Sequence, residues 1–349
     1  MNISTTDAKA LFTKELAAIY SDQLKPKTFM RSFFTETEVA TKEVSIQVMR
    51  NNENIAVDVV RGTEGNRNKW DKTTEKIIVP PYYREYFDLT QLSLYDALYA
   101  QPEISAVNFG RFIDQVAEKM NYCVDKIDRA YELQCAQVLT TGIVALNSDT
   151  NIDFKRKSAS LVDLGSSNYW ADANVDPNTS LETGCKFLRE TGKAAGGVVN
   201  AIMGSEALRD YLNNTAVQNR GKIFNYALDQ LVQAQRDAVG YSFHGEISVG
   251  SFRVRIFSYP EIYTDANGSN RYYVDPKKVI LVPEMPKFTL TYAAVPQLLT
   301  TGILPQKGKM AFGDYIDERM TAHIYDVKSA GVAIPVAVDQ IYTMKVVTG

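Results

Sequence analysis

Apolar residues recur every three or four positions at Phe109, Phe112, Ile113, Val116, Met120, Cys123, Val124, Ile127, Tyr131 and Val138, and charged residues fill most of the places between them. That spacing predicts one uninterrupted helix over 108–139 with a single buried stripe and a solvated or partner-facing remainder. No proline breaks the run. At 1.5 Å per residue such a helix is roughly 45–50 Å long, which exceeds most helices of a compact domain. Ahead of it the period changes to two. Val44, Ile46, Val48 and then Ile55, Val57, Val59, with Asn51, Asn52 and Asn54 between, read as paired strands. Residues 61–71, Arg-Gly-Thr-Glu-Gly-Asn-Arg-Asn-Lys-Trp-Asp, lose the period and read as a loop tip. Thr73–Val79 returns as a strand. A two-stranded excursion of this kind buries little of itself and is marginal alone in water, so it is expected to rest on another subunit.

The remaining pattern is mixed. A short amphipathic helix is expected over Met1–Tyr20, and a compact aromatic cluster follows at Phe29–Phe34. After the long helix come two short strands near Ile152–Phe154 and Ser160–Leu164, and then a helix from a Ser180 cap to Thr191. From Val198 a strand runs to Met203, with helices at 206–212 and 224–236 and strands at 246–249, 252–259, 271–274, 279–282 and 288–294. Asp265-Ala266-Asn267-Gly268 marks a hairpin. Leu304–Lys309 reads as a loop, and strands at 321–328 and 332–347 end the chain, with Pro335 placing the last at an edge or a bend.

Composition narrows the function classes. With 38 basic and 41 acidic residues the formal charge is −3, unlike the strongly basic balance of a chain whose task is nucleic-acid binding. No stretch approaches the roughly 18 apolar residues of a membrane span, and Met1–Ala10 lacks the pattern of a signal peptide. Cys123 and Cys135 lie on different faces of the predicted helix, too far apart for a disulfide; with Cys185 they read as buried small hydrophobes.

Candidate chemistry is thin. The two histidines, His244 and His323, have no cysteine or second histidine at ligand spacing. Gly192–Gly197 does not fit a phosphate loop. Asp314 with Asp317 and Glu318 reads as a solvated acidic cluster. Cys185 with His244 as base is the one nucleophilic pairing the composition permits, and a structural thiol is the plainer reading. No catalytic residue, cofactor or metal is therefore assigned. Arg61, Glu64, Arg67, Lys69 and Trp70 at the loop tip remain as a candidate contact site. Basic residues beside a tryptophan suit single-stranded nucleic acid, but Glu64 and Asp71 offset the charge, and Arg and Trp are equally enriched at protein interfaces. A subunit interface is the preferred reading.

Particular residues carry a family resemblance. Phe29-Met30-Arg31-Ser32-Phe33-Phe34 with Thr41-Lys42-Glu43-Val44, then Ile152-Asp153-Phe154-Lys155-Arg156, Trp170 and Asp176-Pro177, and finally Lys328 to Pro335 with Asp339, occur in order. Together they resemble the lambda-type major capsid proteins of tailed bacteriophages, the phage capsid protein E family. Gly331-Val332 departs from that pattern, as does the loop tip around Gly65. The resemblance implies an α+β tailed-phage major capsid fold of the Hong Kong phage type, shared with encapsulins. Its parts are an N-terminal arm (1–34), an extended hairpin loop lying on the neighbouring subunit (35–89), a peripheral domain with a spine helix (90–196 plus 305–349), and an axial domain (197–304). It further implies hexamers and pentamers closing an icosahedral shell around double-stranded DNA in the virion, assembled in the host bacterial cytoplasm. A portal protein and, in some shells, a decoration protein are the implied partners. Because fewer than thirty residues precede Phe29, a separate scaffolding protein is expected. An encapsulin-like compartment is the alternative within the fold, and a single-stranded nucleic-acid-binding module is the alternative outside it.

Overall fold

The computed structural model describes residues 28–48, 74–90, 106–146, 151–194, 196–223, 235–236, 240–299, 302–317 and 322–348. The predicted long helix is present as α1, Ala106–Thr140, two residues longer at its start and one at its end. Val116, Met120, Val124, Ile127, Tyr131 and Val138 are all buried along it, as the stripe requires. It lies on a sheet organised by one 14-residue strand, Ala322–Pro335. Residues 322–330 of that strand pair with Tyr82–Thr90 and residues 322–328 with Ala311–Asp317. Residues 331–335 pair with Phe288–Tyr292, which in turn pairs in parallel with Thr35–Glu38.

The second sheet has seven strands in the spatial order 161–163, 342–345, 278–283, 198–203, 252–258, 242–249, 235–236. Its central strands, Val198–Met203 and Lys278–Pro283, are buried on both faces apart from their first residues, so they read as continuous apolar runs. Ile202, Ile280 and Val282 join the core under α1. Their alternates Ala201, Met203, Val279 and Leu281 face a second core with α2 (Pro177–Glu190), α3 (Ser205–Asn213) and α4 (Thr215–Ile223).

Several sequence readings shift locally. Helix α2 starts earlier than the expected Ser180 cap: Asp176 is the cap, its carboxylate accepting from the Asn178 amide at 2.9 Å, with Pro177 in the first turn. Ser180 instead accepts the indole N–H of fully buried Trp170 at 2.9 Å. Residues 304–309 are not all loop, because Gly302–Gln306 forms an edge ribbon with Val295–Leu299, where Pro296 faces Pro305. The strand 44–48 pairs with 74–78, and its expected pairing with 55–59 falls on residues outside the described ones. The expected helix at 1–20, the strand at 55–59 and most of the expected helix at 224–236 lie outside the described residues.

Candidate functional site

The five tip residues, Arg61, Glu64, Arg67, Lys69 and Trp70, lie outside the described residues. What is placed is their base, the antiparallel ribbon from Val44↔Ile78 to Val48↔Thr74. Its two strands pair only with each other among the described residues. Val44 and Ile78 are buried, while Ile77 (63%) and Val79 (53%) are exposed. The chain then enters strand 82–90, where period two turns Tyr83 and Phe87 inward and leaves Tyr82, Arg84, Tyr86 and Asp88 outside. Arg84 is held there by buried Asp326 (Nη2 to Oδ2, 2.7 Å), which also takes Lys328 at 3.0 Å.

The chemical candidates do not assemble into a reactive centre. Cys185 is fully enclosed in the core under α2, and burial pushes its thiol up to about 12. His244 sits at a bulge in strand 242–249 and meets Ser258 Oγ at 2.8 Å through Nε2; burial lowers its pKa. Asp314 pairs with His323 at 3.2 Å. Among the described residues no group of three or more His, Cys, Asp or Glu is arranged to hold a metal ion.

The most elaborate polar site is one that reading the sequence missed. Residues 30–33 form a single 3-10 turn against α1. The Met30 amide donates to Glu132 Oε1 at 2.7 Å and the Arg31 amide to Oε2 at 3.1 Å. The Arg31 guanidinium donates to Asp128 Oδ1 at 2.9 Å, to the Tyr292 hydroxyl at 2.9 Å and to Glu36 Oε1 at 2.6 Å, and Lys309 reaches the same Asp128 oxygen at 2.8 Å. Burial by itself would lower the guanidinium's pKa, and the facing Tyr292, Asp128 and Glu36 more than offset it. Phe29 leads into this turn from an aromatic cage, stacked on Tyr241 at 4.5 Å with Phe257 and Tyr259 at 5.6 and 5.5 Å. The segment therefore fastens α1 to the end of the second sheet. Asp128 and Glu132 belong to the buried stripe, not to a solvated charged face. The signal was present: they follow Val124 at successive four-residue steps, in register with Ile127, Tyr131 and Cys135.

Two residues beyond Glu132, buried Gln134 reaches strand 322–335. Its side-chain amide donates to Gly331 O at 3.3 Å and to the Tyr83 hydroxyl at 2.7 Å, and its Oε1 accepts from the Ala333 amide at 3.2 Å. The C-terminus of α1 is fixed by Arg156, whose guanidinium donates to the carbonyls of Leu139, Ser160 and Ile341 at 3.0–3.2 Å.

A long helix laid across a sheet, a second sheet with its own helical layer and a two-stranded ribbon leaving the body define the fold of tailed-phage major capsid proteins. The chain superposes with a TM-score of 0.63 on a protein described as a prophage capsid protein from Escherichia coli CFT073, at 17% identity over 99% of this chain and 100% of that one. A phage-related protein from Bordetella bronchiseptica RB50 gives 0.55 at 14% identity, over 95% and 96% of the two chains. The family model for phage major capsid protein E matches residues 13–315 of the chain, which belongs to that family. It is a phage shell protein of the virion. No curated protein sequence matches it.

Proposed function

We propose that the chain forms hexamers and pentamers that close an icosahedral head around packaged double-stranded DNA, and that the ribbon tip carrying Arg61, Glu64, Arg67, Lys69 and Trp70 docks on a neighbouring copy. The observation that carries the docking is the ribbon base. A two-stranded sheet that leaves Ile77 and Val79 in solvent is marginal by itself and gains stability when a neighbour covers it. In this reading 1–34 is the arm, 35–89 the extended loop, 90–196 with 305–349 the peripheral domain and 197–304 the axial domain. Assembly takes place in the host bacterial cytoplasm with a scaffolding protein, a portal and, in some shells, a decoration protein. No chemistry is assigned to the subunit; the buried thiols and the enclosed His244 support that. Reversing the tip charges with Arg67→Glu and Lys69→Glu is expected to abolish particles while the isolated subunit keeps its circular dichroism and melting temperature. Normal particles from the double variant would remove the tip from the interface.

A further inference from the structure

The first sheet has two faces. Tyr83 turns toward α1, where it meets Gln134 and the Tyr131 ring. The alternates Tyr82, Arg84 and Tyr86 turn the other way. The strand register carries that outer face across the long strand to Lys328, Asp326 and Ile324, and on to Gly313 and Tyr315. Tyr82 (50%), Tyr86 (61%) and Tyr315 (42%) stand exposed on it.

The face is held in place from below. Asp326 is fully buried and pairs with Arg84 at 2.7 Å and Lys328 at 3.0 Å. Gly313 leaves the space that this carboxylate fills, because a Cβ there would collide with Oδ1. Arg84 also donates to the Tyr315 hydroxyl at 3.2 Å and lies 5.8 Å from the centre of that ring. Tyrosines around a tethered arginine have the composition of interface hot spots, and an arginine already fixed has less freedom to lose when a partner arrives.

Position and charge identify what covers it. Four exposed large apolar side chains, Ile77, Val79, Tyr82 and Tyr86, fall within ten consecutive residues. Only Val79–Pro81 separates the ribbon strand from strand 82–90. Fully extended, the path from Ile77 to Tyr86 is at most about 32 Å, roughly the breadth of one standard interface patch of about 800 Å² per partner. A molecule that covers the ribbon base therefore reaches the tyrosines. Among the described side chains of the face, Arg84 and Lys328 cancel Asp326 and Asp88. Such a face has no excess charge with which to hold a phosphate backbone. It suits a partner of balanced charge, as this chain is at −3 over 349 residues.

We propose that the outer face of the first sheet is an interface with a second copy of the chain: the neighbour that covers the ribbon base extends over Tyr82, Tyr86 and Tyr315, with Arg84 at the centre of the contact. This rests on the reading of the ribbon as a contact between shell subunits.

Assembly of the purified full-length protein tests it, with particles measured by sedimentation over a range of protein concentrations. Wild type is compared with Tyr82→Ala/Tyr86→Ala and with the tip variant Arg67→Glu/Lys69→Glu. Truncating the two tyrosines is expected to raise the concentration needed for assembly about tenfold or more while the subunit keeps its circular dichroism. An unchanged concentration would overturn the proposal, and a tip variant that still blocks assembly would then leave the ribbon reading standing. A wild-type chain that never assembles would overturn both. If the tyrosine variant fails to fold, hydroxyl-radical labelling of the wild type serves instead. Labelling of Tyr82, Tyr86 and Tyr315 is expected to be largely lost between dissociated subunit and particle. Equal labelling in the two states would overturn the proposal, as would labelling lost only on adding a further protein or DNA, which would assign the face to that partner.

Discussion

Strand 322–335 outruns its neighbours. Strand 82–90 stops at Ala330 and strand 311–317 at Lys328, so beyond those points one edge of the long strand has no strand beside it among the described residues. Gln134 fills that place, taking the Ala333 amide and the Gly331 carbonyl as a neighbouring strand would. Replacing it with leucine preserves the bulk and strands both backbone groups in the core under α1. An orphaned buried backbone group costs about 1–3 kcal/mol, so two cost about 2–6 kcal/mol. The gain from burying an aliphatic side chain in place of an amide offsets about 1 kcal/mol of that, the contribution of one buried methylene. The expected net loss for Gln134→Leu is therefore about 3 kcal/mol, read from urea unfolding of the isolated subunit followed by far-UV circular dichroism. Gln134→Glu is expected to lose a similar amount, since a carboxylate still accepts from Ala333 but has no hydrogen to offer Gly331. A loss under about 1 kcal/mol in both variants would show that the edge is satisfied by other means and would refute the reasoning.

Two further perturbations follow from the same core. Gly331→Ala puts a Cβ 2.8 Å from ring carbons of both Tyr131 and Tyr292; those rings are fully enclosed, so the overpacking is expected to cost about 1–3 kcal/mol or more, and an unchanged urea midpoint would contradict the packing described. All three cysteines are free and buried, and burial raises their thiols. Ellman's reagent at pH 8 is accordingly expected to find no fast-reacting thiol in the native subunit and all three after unfolding, and a rapidly labelled native thiol would revive Cys185 as a nucleophile.

The hydrophobic period located α1 almost to the residue, because a stripe over nine turns leaves little freedom in where a helix begins and ends. It located the apolar strands 198–203 and 278–283 for a related reason, since burial on both faces makes them continuous runs. Where it failed, the side chains carried a signal that only tertiary contacts resolve. Strand 322–335 reads as two pieces around Ser329-Ala330-Gly331, yet it continues through Gly331 because the absent side chain leaves room for Tyr131 and Tyr292. The same contact gives a physical account of the departure from the family pattern at that position. Asp314 and Asp317 read with Glu318 as a solvated acidic cluster, and Ala311–Asp317 becomes a strand because the long strand offers it a complete register. Asp128 and Glu132 carry charge, which suggests solvent, but they meet the amides and guanidinium of a turn roughly a hundred residues earlier, a pairing with no local trace.

The motifs behind the family resemblance prove to be mostly buried joints. Arg31 is held against α1, Arg156 fixes the end of α1, Trp170 is sealed by Ser180 and Asp176 starts α2. They hold the subunit's shape, and the proposed contacts between subunits fall instead on the ribbon, its tip and the adjoining outer sheet face. The reading of this chain as a self-assembling shell subunit is therefore tested most directly by electron microscopy of the purified protein. Closed shells or six-membered rings are the predicted result, and a monomer that persists under every assembly condition would contradict it.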